Sequence, residues 1–203
     1  HKYKFTLRNG SKTMTTKTNI HLHGLHVSGS GDADDVTRLV TAGHCLDYTW
    51  EILPDHPGGT HWYHAHPHGA AERQVNGGAF GLLIVEDNPE ADGDIPVWAS
   101  NELLLQISNI ENVVRANGKP YEIFDVKAGQ WYRLRVSVVD PLGKPQELRF
   151  TSGCEVHKVA SDGIWHSSIP GSQASTFEMT GASRGDFAVR CSSPASTVNI
   201  LCD

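Results

Sequence analysis

At 203 residues the chain is long enough for one large domain or two small ones, with a sizeable buried core in either case. Its formal net charge of -6, with histidine counted neutral, comes with no Lys/Arg run for a phosphate backbone, which argues against nucleic acid as a partner. The longest apolar runs, such as Phe80 to Val85 and Leu103 to Ile107, fall far short of the roughly 20 residues that cross a bilayer, so no membrane association is expected.

Helical periodicity is nearly absent, and short runs rich in Val, Ile, Thr, Tyr and Trp recur between Gly, Pro, Asn and Asp. In chain order the predicted strands are Lys2 to Leu7, Thr18 to His23, Asp47 to Ile52, Gly59 to His64, Gly81 to Glu86, Glu102 to Ile110 and Ile123 to Val126. Gln130 to Val138, Gln146 to Thr151, Val156 to Ala160, Ala174 to Met179, Asp186 to Arg190 and Thr197 to Leu201 follow. This spacing predicts an all-β fold of β-sandwiches. The stretch Glu86 to Pro96 is acidic and apolar-poor and reads as an exposed linker, dividing the chain into domains 1–89 and 96–203.

Ten of the twelve histidines precede that linker, so the chemistry is expected in the first domain. Six of them fall in two clusters, His21-Leu22-His23-Gly24 and His61-Trp62-Tyr63-His64-Ala65-His66-Pro67-His68. Residues two apart on a strand point to one face about 6.5 to 7 Å from each other, so each His-x-His pair presents two imidazoles together. If the two strands lie side by side, His21, His23, His64 and His66 converge on a space for one metal ion or a close pair. His61 and His68 are secondary candidates, whereas His26, His44, His56, His157 and His166 read as ordinary polar residues. No His-Glu-x-x-His helix is present, and neither motif contains an acid, although Gly31 to Asp35 places carboxylates nearby. An imidazole-only donor set favours copper over zinc or iron.

The four cysteines, Cys45, Cys154, Cys191 and Cys202, lack Cys-x-x-Cys spacing and suggest one or two disulfides. Together with the glycosylation pattern Asn9-Gly10-Ser11, they lean towards a secreted or lumenal protein. No secretory leader is visible. With no initiator methionine, the opening phrase His1 to Leu7 reads as that of a processed or trimmed product.

Several phrases resemble the multicopper oxidases, the family of laccases, ascorbate oxidase and ferroxidases. Asn19-Ile20-His21-Leu22-His23-Gly24-Leu25 is similar to the family's first copper motif, and Gly58-Gly59-Thr60-His61-Trp62-Tyr63-His64-Ala65-His66 to its second. Gln74 to Glu86 resembles the end of its first cupredoxin domain. Val114 to Gly118, Gly129 to Arg135, Ala160 to Gly163 and Arg184 to Asp186 resemble its second, copper-free domain. The resemblance implies two tandem cupredoxin-like Greek-key β-sandwiches. It also implies that His21 serves a type 2 copper and that His23, His64 and His66 serve a type 3 pair, in a cluster that reduces oxygen to water. Asp34 or Asp35 falls where the family often has an acid, a proton source.

The family completes its cluster with a His-x-x-His-x-His motif and a His-Cys-His motif in a last domain, and neither occurs here. No cysteine is flanked by histidine as a type 1 copper site requires. Cys154 and Cys191, on neighbouring predicted strands, are better paired as a disulfide than used as copper ligands, although pairing among the four cysteines stays open. The chain therefore reads as half of an oxygen-reducing cluster. A third cupredoxin domain or a homo-oligomeric partner would complete it, with oxygen and a small reducing substrate as reactants. The alternative is a copper-binding protein without oxidase turnover, and a degenerate domain is a third reading.

Overall fold

The computed structural model describes residues 1–13, 16–150, 153–169, 173–192 and 200–202. It is an all-β protein, and its packing separates two units, residues 1–56 with 61–83, and 57–60 with 84–203. The first unit contains β1 (Lys2–Arg8), β2 (Lys17–Thr18), β3 (His21–His23), β4 (Val40–Thr41), β5 (Cys45–Glu51), β6 (Gly59–His64), helix α1 (Ala71–Asn76) and β7 (Phe80–Val85), the ends of β6 and β7 counting with the second. Its strands pair as β1-β5, β2-β4 and β3-β6-β7. Leu22, Val40, Tyr48, Trp62 and Val75 lie in its interior.

The expected strand Thr18 to His23 is interrupted at Asn19 and Ile20, where Asn19 turns its side chain inward and leaves two short strands. The six residues of α1 were not anticipated: a helix of under two turns that buries only Val75 leaves almost no periodic trace. Its Gln74 is anchored by accepting from Thr18 Oγ1 at 2.6 Å and donating to Lys17 O at 2.7 Å. Asn9 is 5% exposed, and its Nδ2 donates to the carbonyls of Thr16 and Val40 at 3.0 Å. The nitrogen that a glycan would occupy is thus a structural donor, which overrules the glycosylation reading.

The second unit follows with α2 (Pro89–Asp92), a 3-10 turn (Val97–Ser100), β8 (Glu102–Ile110), β9 (Val113–Ala116), β10 (Trp131–Val139), β11 (Gln146–Phe150), β12 (Cys154–Ser161), β13 (Ile164–Trp165), β14 (Thr176–Met179), β15 (Arg184–Cys191) and β16 (Ile200–Cys202). A six-stranded sheet, β13-β12-β15-β10-β8-β9, accompanies a three-stranded one, β14-β11-β16. Leu105, Ile107, Leu134, Val136, Val138, Leu148, Phe150, Val156, Met179 and Phe187 form its apolar core. The predicted strand Ile123 to Val126 is irregular, and Ile123 is 71% exposed, because strand-forming residues make no strand without a neighbour to pair with. Of the predicted strand Thr197 to Leu201, residues 197–199 lie outside the described residues.

β10 is buried on both faces, and the face opposite the apolar core carries Arg133 and Arg135, 0% and 1% exposed. Arg133 pairs with Asp186 and Asp87, Arg135 pairs with Glu102, and Asp186 also accepts from Thr60 Oγ1 at 2.6 Å. Two buried guanidinium groups are tolerable only because carboxylates face them. Asp87 belongs to the acidic stretch read as a linker, and Asp92 of that stretch accepts from the backbone N–H groups of Gly58 and Asn88 at 2.8 and 2.7 Å. That stretch is built into the second unit. Cys154 and Cys191, opposite each other on β12 and β15, form a disulfide.

Candidate metal centre

Antiparallel pairing of β3 with β6 sets His21 opposite His64 and His23 opposite Trp62. Strand alternation puts all four side chains on one face of the sheet, with Leu22 and Tyr63 as the opposed pair on the other. The register is enforced from below: Leu22 is 1% exposed, so a slip of one residue would drive an imidazole into the core. After His23 the chain turns away at Gly24, whose φ of 91° a side-chain-bearing residue would rarely adopt. On β6 the Tyr63 ring lies against Gly81 of β7, where a Cβ would collide with the phenol oxygen.

One ring nitrogen each from His21, His23 and His64 lies within 4.8 Å of the other two, a spacing suited to one metal ion or a close pair. Hydrogen bonds select which nitrogen each ring offers. His21 Nδ1 lies 2.8 Å from Asp34 Oδ2, while Asp34 Oδ1 accepts from Leu22 N at 2.9 Å. The carboxylate therefore keeps the proton on Nδ1 and leaves the Nε2 lone pair of His21 for a metal. His64 Nδ1 donates to the Ala65 carbonyl at 3.1 Å, so Nε2 is its ligand atom, and it faces His23 Nδ1 at 3.4 Å. Burial pushes the His64 pKa down to about 4, the charges of His21 and His66 act in the same direction, and the bond to Ala65 opposes them. His64 is neutral at physiological pH, the form that binds a metal.

His66 lies beyond the end of β6 and is exposed, with its ring centroid 5.2 Å from that of His21 and 5.5 Å from that of His64. It is held through its backbone: His66 N donates to Asn19 Oδ1 at 2.8 Å, and Asn19 Nδ2 donates to the carbonyls of Val36 and His66 at 2.8 and 3.4 Å. His61 takes the other face of β6, buried beside His56 with ring centroids 5.9 Å apart. His68 follows Pro67 and is exposed. Neither is brought to the cluster. Of the two candidate acids, Asp34 is at the site, whereas Asp35 binds Thr37 through its backbone N–H and hydroxyl.

Sequence reasoning assigned no role to Asn19 or Trp62, although both stand inside the copper-like phrases. The available signal was positional: Asn19 is two residues before His21, and Trp62 two before His64, on the same strand face. With Asp34 engaged by His21 and Leu22, the donors facing the centre are imidazoles, which fits copper and not a triad of two histidines and a carboxylate.

Residues 4–90 match a family model described as multicopper oxidase. A laccase from Thanatephorus cucumeris, Laccase-4, is 28% identical over 197 residues, covering 78% of this chain and 35% of its own length. An iron transport multicopper oxidase of Saccharomyces cerevisiae is 32% identical over 97 residues, covering 46% of the chain and 14% of its own length. Among solved structures, a multi-copper oxidase from Pediococcus acidilactici matches the fold with a TM-score of 0.82 at 20% identity, over 100% of this chain and 46% of that one. The chain thus spans less than half the length of each of these relatives.

Proposed function

We propose, from the premise that the chain belongs to the multicopper oxidase family, that it is a copper-dependent oxidoreductase of laccase type holding half of an oxygen-reducing copper cluster. The observation that carries this reading is the convergence of His21, His23 and His64 on one sheet face with their ring nitrogens within 4.8 Å. His21 offers Nε2, His23 Nδ1 and His64 Nε2, and His66 is the fourth ligand, drawn in from the adjoining loop. Copper bound there supplies the electron transfer to oxygen.

The surrounding residues orient and protonate. Asp34 fixes the tautomer of His21, which leaves Nε2 for a metal, and is the acid of the pair that lies beside the cluster as its proton source. Burial keeps His64 neutral, so a metal does not have to displace a proton from it at physiological pH. Asn19 holds the backbone of His66 at the height of the strand ends.

A second reading, copper binding without oxidase turnover, is favoured by the cysteines. Cys154 and Cys191 are consumed in a disulfide, and among the described residues Cys45 is the free cysteine, exposed at the start of β5. A type 1 centre needs a thiolate beside two histidines, and a third cupredoxin domain or a second copy of the chain would have to bring it, together with the remaining histidines. The small reducing substrate would bind with that part. The disulfide also supports a secreted or lumenal location, and among the described residues no helix is long and apolar enough to cross a membrane.

Copper counting on the purified chain tests the site. One or two coppers per chain, lost in His64→Ala, support it, and no copper after reconstitution sinks it. A diphenol and oxygen then separate the two readings: the isolated chain is expected to bind copper with little or no turnover. Rapid oxidation with strong absorbance near 600 nm would show a type 1 site that these residues do not provide.

A further inference from the structure

We infer that Trp62 is a positioning residue of the metal centre, setting the ring planes of two of its ligands; this rests on the reading of His23 and His64 as copper ligands. Trp62 is 4% exposed and lies directly across the β3-β6 pair from His23. Its ring is stacked on His23 with centroids 4.9 Å apart and planes 27° apart, and on His64 at 4.3 Å and 22°. The two imidazoles, themselves 5.6 Å apart, thus lean on one indole.

The indole is held by packing, since its buried Nε1 has no hydrogen-bond partner among the described residues. A strand sets where a histidine Cβ sits but leaves the imidazole free to turn about χ2, which is a broad torsion. His64 has a second restraint in its bond to the Ala65 carbonyl. The flat face of Trp62 constrains both rings at once, and in this arrangement His23 Nδ1 and His64 Nε2 face each other at 3.4 Å. Leucine at this position would fill part of the volume and leave the ring planes unset, whereas phenylalanine would keep a flat surface.

The test is Cu(II) titration of the full 203-residue chain as wild type, Trp62→Phe, Trp62→Leu and His64→Ala, with bound copper measured by dialysis and its environment by electron paramagnetic resonance. Wild type binds and His64→Ala does not. Trp62→Phe stays close to wild type, whereas Trp62→Leu loses about 10- to 100-fold in affinity, as for loss of an orienting outer partner, with altered copper hyperfine splitting. A folded Trp62→Leu with wild-type affinity and spectrum overturns the inference and leaves the ligand reading intact. Failure of wild type to bind, or unchanged binding by His64→Ala, removes the ligand reading itself. If Trp62→Leu does not fold, fluorotryptophan labelling of the otherwise wild-type chain decides. The fluorine resonance assigned to Trp62 by its loss in Trp62→Phe must broaden with one equivalent of Cu(II), and a sharp resonance overturns the inference.

Discussion

Asp34 and His21 are joined by a 2.8 Å contact from Oδ2 to Nδ1, and the same carboxylate holds Leu22 N through Oδ1 at 2.9 Å. One buried side chain therefore ties a ring and its strand together and decides which nitrogen of the ring meets a metal. Asp34→Asn would keep the Leu22 bond and present an N–H to His21 Nδ1, moving the ring proton to Nε2 and blocking the ligand atom. The expected outcome is a loss of about 10- to 100-fold in copper affinity. Copper titration of Asp34→Asn beside Asp35→Asn checks it: equal losses in the two variants would contradict this division between the acids.

Asn19 is 3% exposed and serves the backbones of Val36 and His66. Asn19→Ala leaves those partly buried groups without this partner and is expected to cost about 1 kcal/mol of stability. Denaturant unfolding measures that cost. Because His66 loses its tether, copper affinity should also fall, and an unchanged affinity would mean that His66 finds its place without Asn19.

The Arg133-Asp186 pair lies wholly inside the second unit, at 0% and 1% exposure. Asp186→Ala removes one partner and leaves a guanidinium buried beside the remaining Asp87, a change expected to cost about 3 to 5 kcal/mol. Calorimetry of the variant would show it as a large fall in melting temperature, and a change within error would show that water or Asp87 replaces the lost carboxylate.

Acid stability should depend on Glu155, whose carboxyl is held below the ordinary glutamate range by bonds from His157 and Arg190. With the folded pKa depressed, its stabilising contribution is complete above the unfolded value and is lost as pH falls through the folded one. Glu155→Gln should therefore be less stable than wild type near neutral pH and lose less stability on acidification below that value. Parallel unfolding curves for the two proteins across that range would refute it.

The all-β character and the four central histidines were legible because strands and His-x-His pairs share a period of two residues. Strand β6 was read with its observed limits, since Gly59 and His64 bound a run of strand formers. Helix α1 was not legible, because six residues burying one side chain carry too little periodicity. The roles of Asn19, Trp62 and Asp34 depend on atoms brought together from separate segments. Asp34 and Asp35 are adjacent acids in the sequence, and only packing tells them apart.

The amino-acid sequence by itself determined the chemistry on offer: which strands form, which faces they bury, and that imidazoles arrive in pairs. Tertiary structure decided how that chemistry is aimed. Register set His21 against His64 and His23 against Trp62, hydrogen bonds chose the ligand nitrogens, and strand termination placed His66 in a loop beyond β6. The physical reason is range. Alternation along a strand is local and written in neighbouring residues, whereas ring orientation, proton position and burial depend on groups far apart in the chain that meet only after folding.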